Sequence, residues 1–123
     1  MRAIIKQVDD NSEYWIPEGC HILELSNSPD DPNLSIARAR VEPGVTTQWH
    51  RLQNTEERYF ILSGKGMVEI DDQSAQRVCS GDTVLIPAMC RQRISNPGPD
   101  DLIFLALCTP RFDHTVYEAL PPT

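Results

Sequence analysis

The sequence predicts an all-β domain built as a barrel or sandwich of about ten short strands. Three observations carry that expectation. The apolar runs are short, with turn signals about every eight to twelve residues. Ten Pro and six Gly fall between those runs as punctuation. The segment LSIARARVE alternates cleanly, with Ala37, Ala39 and Val41 on one face and Arg38 and Arg40 on the other, as a half-buried strand requires. A chain of 123 residues has the length of one domain with one core, so residues 1–123 are read as a single unit.

The elements follow in order. Ala3 to Val8 and His21 to Leu25 are apolar-rich strand candidates, separated by YWIPEG, which reads as a turn. SNSPDDPN, with two Pro among Asp and Asn, is a loop. After the alternating strand, Glu42-Pro43-Gly44 turns the chain into a strand containing His50. Glu57 to Leu62 and Met67 to Ile70 follow, joined through Gly64-Lys65-Gly66. Asp71 to Ser74 closes a hairpin, Gln76 to Cys79 returns, and Gly81-Asp82 turns into Thr83 to Ile86. Arg91 to Ser95 and Leu102 to Cys108 complete the set, with NPGPDD between them. The tail FDHTVYEAL is assigned one helical turn or two.

Composition narrows the function classes. A net charge of −7 and a pI near 4.8 disfavour nucleic acid and anionic membrane surfaces, which need a concentrated basic face. Arg91 and Arg93 do not make one. The longest wholly apolar run, Leu102 to Cys108, falls far short of a bilayer span. MRAIIKQVDD lacks the apolar core and cleavage site of a signal peptide, so a cytoplasmic protein is expected. Cys20, Cys79, Cys90 and Cys108 contain no CxxC pair, which points to unreactive thiols in a reducing compartment.

Two stretches are the most specific. In 44–64, GVTTQWHRLQNTEERYFILSG, Gly44 is followed after five residues by His50, then by Leu52, by Glu57 and by Gly64. In 81–96, GDTVLIPAMCRQRISN, Gly81, Pro87 and Asn96 stand at fixed intervals. These stretches resemble the two motifs of the cupin superfamily, and the chain is similar to small single-domain cupins of the conserved-barrel (cupin 2) type. The resemblance implies a double-stranded β-helix, or jelly-roll barrel, here with a short C-terminal helical turn. It also marks departures: Leu52 stands where the first motif has its second His, Gln92 where the second has its His, and Met89 where a Gly is common.

Residues two apart on a strand share a face, so Gln48, His50 and Leu52 form one inward row and Glu57, Tyr59 and Ile61 the next. In the cupin register Gln92 and Ile94 form a third. The expected pocket holds an imidazole, a carboxylate, a phenol and two amides among apolar side chains, the usual form of a small-molecule site. The resemblance implies one divalent ion, iron, manganese, nickel or zinc, held by His50, Glu57 and Gln92, in a dioxygenase, isomerase or lyase. The alternative is a metal-free isomerase or epimerase. There Glu57, its pKa raised by burial, and His50 form an acid–base pair. A third reading is a non-catalytic pocket, with His50 held as scaffold by Gln48 or Tyr59. Arg111 is read as a surface ion pair, or as a partner for an anionic substrate. Trp49, Phe60 and Leu62 fall on the opposite faces, and the resemblance implies a homodimer.

Overall fold

The computed structural model describes residues 1–122. Among them are eleven strands: β1 (Tyr14–Ile16), β2 (Cys20–Ser26), β3 (Ser35–Val41), β4 (His50–Leu52), β5 (Glu56–Ser63), β6 (Lys65–Ile70), β7 (Gln76–Cys79), β8 (Thr83–Ile86), β9 (Gln92–Ser95), β10 (Leu102–Thr109) and β11 (Tyr117–Ala119). They form two sheets, β1-β2-β3-β10-β5-β8 and β11-β4-β9-β6-β7. Every strand pairing is antiparallel. This is the double-stranded β-helix expected from the sequence.

Alternation along β5 sets the inner face. Glu57, Tyr59 and Ile61 are buried, whereas Glu56, Phe60 and Leu62 are exposed. The core between the sheets is filled by side chains such as Val41, Ile61, Ile94, Leu102 and Phe104. Each contributes about 1.5–3 kcal/mol relative to exposure. Small inward residues on β3 and β10 behave differently. Ala37 pairs with Ala106, Ala39 with Phe104, and Ser35 with Cys108. Their short side chains leave the barrel unfilled on that side.

The motif residues outside the cavity are structural. Gly64 has φ +86°, and a Cβ there would meet Asp101 O at 2.4 Å, so only glycine fits between β5 and β6. Met89 has φ 69°, which explains why a glycine is common at its place. Asn96 is buried; its amide donates to Val41 O and Asp100 O, and its oxygen accepts from Gly98 N, all at 2.8 Å. It ties the end of β9 to β3 and to the loop before β10.

Two expectations are corrected and a third is extended. Ala3 to Val8 is not a strand: Ile4, Ile5 and Val8 are exposed, and the sheet edge beside β2 is taken by β1. YWIPEG is therefore half strand, its turn beginning only after Ile16, where Gly19 N donates to Ile16 O. The tail forms the expected helical turn, a 3-10 turn over His114–Val116, and then adds β11, because Tyr117–Ala119 finds the free edge of β4.

Outside the barrel, Trp49 is buried beneath the guanidinium groups of Arg91 and Arg93, 4.4 and 4.6 Å from its ring centre. Those cations cover it within its own chain. Phe60, Leu62 and Leu85 stay exposed. No helix among the described residues is long and apolar enough to cross a membrane.

Candidate functional site

A cavity of about 450 Å³ opens on the inner face of the six-stranded sheet. Glu57 on β5 is its deepest acid. Its neighbours across the strands are Cys108 on β10 and Ile86 on β8. Oε2 accepts from the Cys108 thiol at 3.7 Å, while Oε1 is buried with no hydrogen-bond partner. Burial pushes the Glu57 carboxyl up to about 7, and the Glu18 carboxylate adds to the rise. His50, the Gln92 amide and the Cys108 thiol act against it. A carboxyl group poised there can give or take a proton near neutral pH.

His50 lies on β4, in the other sheet, and is buried. Its Nδ1 is 2.8 Å from Gln48 O, a carbonyl that can only accept, so Nδ1 carries the proton. In the neutral ring, Nε2 is left with a free lone pair. Nε2 is 3.7 Å from Glu18 Oε1, an ion-pair distance rather than a hydrogen bond. Tyr117 stacks on the imidazole, with centroids 5.1 Å apart, and its phenol lies near the Glu18 carboxylate. Burial, then the Glu18 carboxylate, pushes that phenol well up.

Tyr59 and Gln92 join the two sheets. The Tyr59 phenol donates to Gln92 Oε1 at 2.5 Å, and its ring packs on Phe104. The Cys20 and Cys108 thiols also line the cavity, and burial pushes both far up, so neither is a ready nucleophile. Tyr14, Glu24 and His114 stand at the open mouth.

The structure brings together Gln48, His50, Leu52, Glu57 and Tyr59 around one cavity, from both sheets, with Gln48 at its exposed rim. Gln92 stands behind Tyr59 and reaches the site through it, and Ile94 packs in the core near Gly66 instead of on the wall. Arg111 is also off the wall, and its Nη1 is buried without a hydrogen-bond partner. Sequence reasoning missed Glu18, Tyr117, Cys20 and Cys108. Only Tyr117 left a trace, in its two-residue spacing from Ala119. Glu18 sits in a turn, where no periodicity exists.

The donors present do not fit a divalent ion of the usual cupin kind. Leu52 supplies no ligand, and the oxygen of Gln92 already accepts from Tyr59. No group of three or more His, Cys, Asp or Glu among the described residues is placed to hold one.

Residues 37–108 match the family described as Cupin domain. The chain is a cupin. An uncharacterized protein of Methanocaldococcus jannaschii is 32% identical over 126 residues, covering 98% of this cupin and 97% of that protein. The nucleoside dehydratase Pac13, of Streptomyces, superposes with a TM-score of 0.77 at 15% identity, covering 95% of this chain and 92% of that one. That likeness is one of fold. A protein of Acidithiobacillus ferrooxidans provisionally described as a sugar phosphate isomerase is 26% identical, with a TM-score of 0.61 over 76% of this chain and 61% of that one.

Proposed function

We propose that this cupin is a small-molecule isomerase or dehydratase that moves protons with its own side chains, Glu57 and His50. The observation that carries the reading is Glu57 Oε1: a buried carboxyl oxygen on the cavity wall with no partner, in a group whose pKa lies near neutrality. Burial without a partner is costly unless a ligand supplies the missing hydrogen bond. The 26% identity to a protein described as an isomerase supports the class, and the substrate of that protein belongs to it alone.

In this mechanism Glu57 takes a proton from a hydroxyl-bearing carbon next to a carbonyl group. Protonated His50 gives its Nε2 proton to the carbonyl oxygen, forming an enediol. Returning the Glu57 proton to the neighbouring carbon, while His50 recovers the hydroxyl proton, completes an isomerisation. In the dehydration branch protonated His50 gives its proton not to the carbonyl oxygen but to a hydroxyl on the carbon beyond the one that Glu57 deprotonates: that C–O bond breaks, a C=C bond forms, and water leaves while Glu57 keeps the carbon's proton. Glu18 and Tyr117 orient the imidazole, and Gln92, held by Tyr59, steadies the ionised Glu57.

The test is solvent-deuterium exchange into small α-hydroxy carbonyl compounds, followed by proton NMR. Exchange should vanish in Glu57→Gln, fall steeply in His50→Gln, and survive prior treatment with a chelator. Elemental mass spectrometry on untagged protein separates this from the metal reading. Stoichiometric iron, manganese, nickel or zinc that is lost in Glu57→Gln would overturn the proposal.

Pairing of two copies is the second proposal. Phe60, Leu62 and Leu85 share the outward side of the six-stranded sheet, and Leu85 is 69% exposed. A homodimer that buries this face predicts a two-chain mass in sedimentation equilibrium and a shift to monomer in Leu85→Glu. A monomeric wild type at micromolar concentration would overturn it.

A further inference from the structure

The cavity wall is unusual in the charges it lacks. Three carboxyl groups, Glu18, Glu24 and Glu57, face it, together with His50 and His114, and no lysine or arginine does. Arg111, the cation nearest in sequence to β10, does not reach it. A phosphate or carboxylate needs guanidinium, ammonium or a cluster of backbone N–H donors to replace its water. Here Gln48 O already occupies His50 Nδ1. An anion would meet acceptor oxygens on a wall that is otherwise mostly apolar, where repulsion is poorly screened.

The same wall suits a donor. Glu57 Oε1 is an acceptor without a partner, on a residue more than nine-tenths buried. Aromatic faces surround the space, Tyr14 at the mouth and Tyr59, Phe104 and Tyr117 within. Aromatic rings with carboxylates recognise ammonium groups through cation–π attraction and charge-assisted hydrogen bonds.

We infer that the cavity selects its ligand by charge, admitting amine-bearing small molecules most readily, neutral polyhydroxylated ones less so, and excluding those that carry phosphate or carboxylate. This rests on the reading of the cavity as the substrate site and names the class of substrate it takes. It separates this cupin from any relative that acts on a sugar phosphate.

The cavity's own thiols supply a test that needs no substrate. In a Cys79→Ser/Cys90→Ser background, Cys20 and Cys108 are the remaining thiols, both on the cavity wall. Three methanethiosulfonate reagents of similar size, 2-aminoethyl, methyl and 2-sulfonatoethyl, each form a mixed disulfide and release methanesulfinate. Rates are read by intact mass and normalised to those of free cysteine. The aminoethyl reagent should outpace the sulfonatoethyl reagent by about tenfold or more, with the methyl reagent between them. Glu24→Gln at the mouth should shrink that ratio, and Glu24→Lys should invert it. Buried thiols react slowly, so each reagent is held in large excess until labelling is complete; equal rates or a faster anion would overturn the inference. The assay involves no turnover, so it can fail while Glu57-dependent exchange persists, and the exchange can fail while the charge order holds.

Discussion

Tyr59 on β5 and Gln92 on β9 are joined across the barrel interior by a 2.5 Å hydrogen bond from phenol to amide oxygen. Because that oxygen is engaged, the amide nitrogen is the end that faces Glu57 and steadies its charge. Tyr59 thus fixes the glutamine at the position of the missing imidazole, close enough to Glu57 to oppose the rise in its pKa. Tyr59→Phe leaves the Gln92 oxygen buried and bare, at a cost of about 1–3 kcal/mol in urea unfolding. An amide turned over to escape that cost would present oxygen to Glu57 and raise its pKa further, which carbon-13 NMR of the glutamate carboxyls would report.

The Glu57 carboxyl also makes stability depend on pH. Its folded pKa, about 7, lies above the ordinary value of 4.5, so between these values the folded chain holds a proton that the unfolded chain has lost. Stability is therefore fullest below the lower value and falls as pH rises through the upper one. The loss amounts to about 3 kcal/mol. Glu57→Gln should remove it: the difference between variant and wild-type stability should widen from pH 5 to pH 8 in parallel urea titrations. A constant difference would show that the carboxyl group is solvated.

Met89 holds a left-handed backbone, φ 69°, with a side chain that is 45% exposed. Met89→Gly relieves the Cβ strain and gives up little burial, so it should stabilise the fold by about 1 kcal/mol. Its N–H bond to Leu52 O stays in place, and thermal unfolding is the measurement.

Ala106 pairs with Tyr59 on one side and Ala37 on the other, at the wall of the cavity. Ala106→Leu should fill the space, change stability by no more than about 1 kcal/mol, and abolish both thiol modification and deuterium exchange. A loss of several kcal/mol would show that the wall is tightly packed.

Much of this was legible in the sequence, for local reasons. β7 and β8 begin and end where alternation and turn residues place them, and Glu57 and Tyr59 face inward because their strand has period two. Ile4 and Ile5 misled because an apolar run says nothing about whether a sheet edge is free to receive it. Glu18 and Tyr117 went unseen because each reaches His50 through tertiary contact, one from a turn and the other from a three-residue strand. The role of Gln92 depended on which end of its amide Tyr59 engages, and that is decided by a residue in the opposite sheet.

The site draws its parts from widely separated stretches of chain: Glu18 from the turn before β2, His50 and Glu57 from the middle, and Tyr117 from β11, whose Ala119 lies opposite His50. A chain emerging from the ribosome can pair its central strands early, but it has no closed pocket until Ala119 has been made. Loss of the last strand alone would take Tyr117 off the imidazole and open the pocket from the far end of the chain.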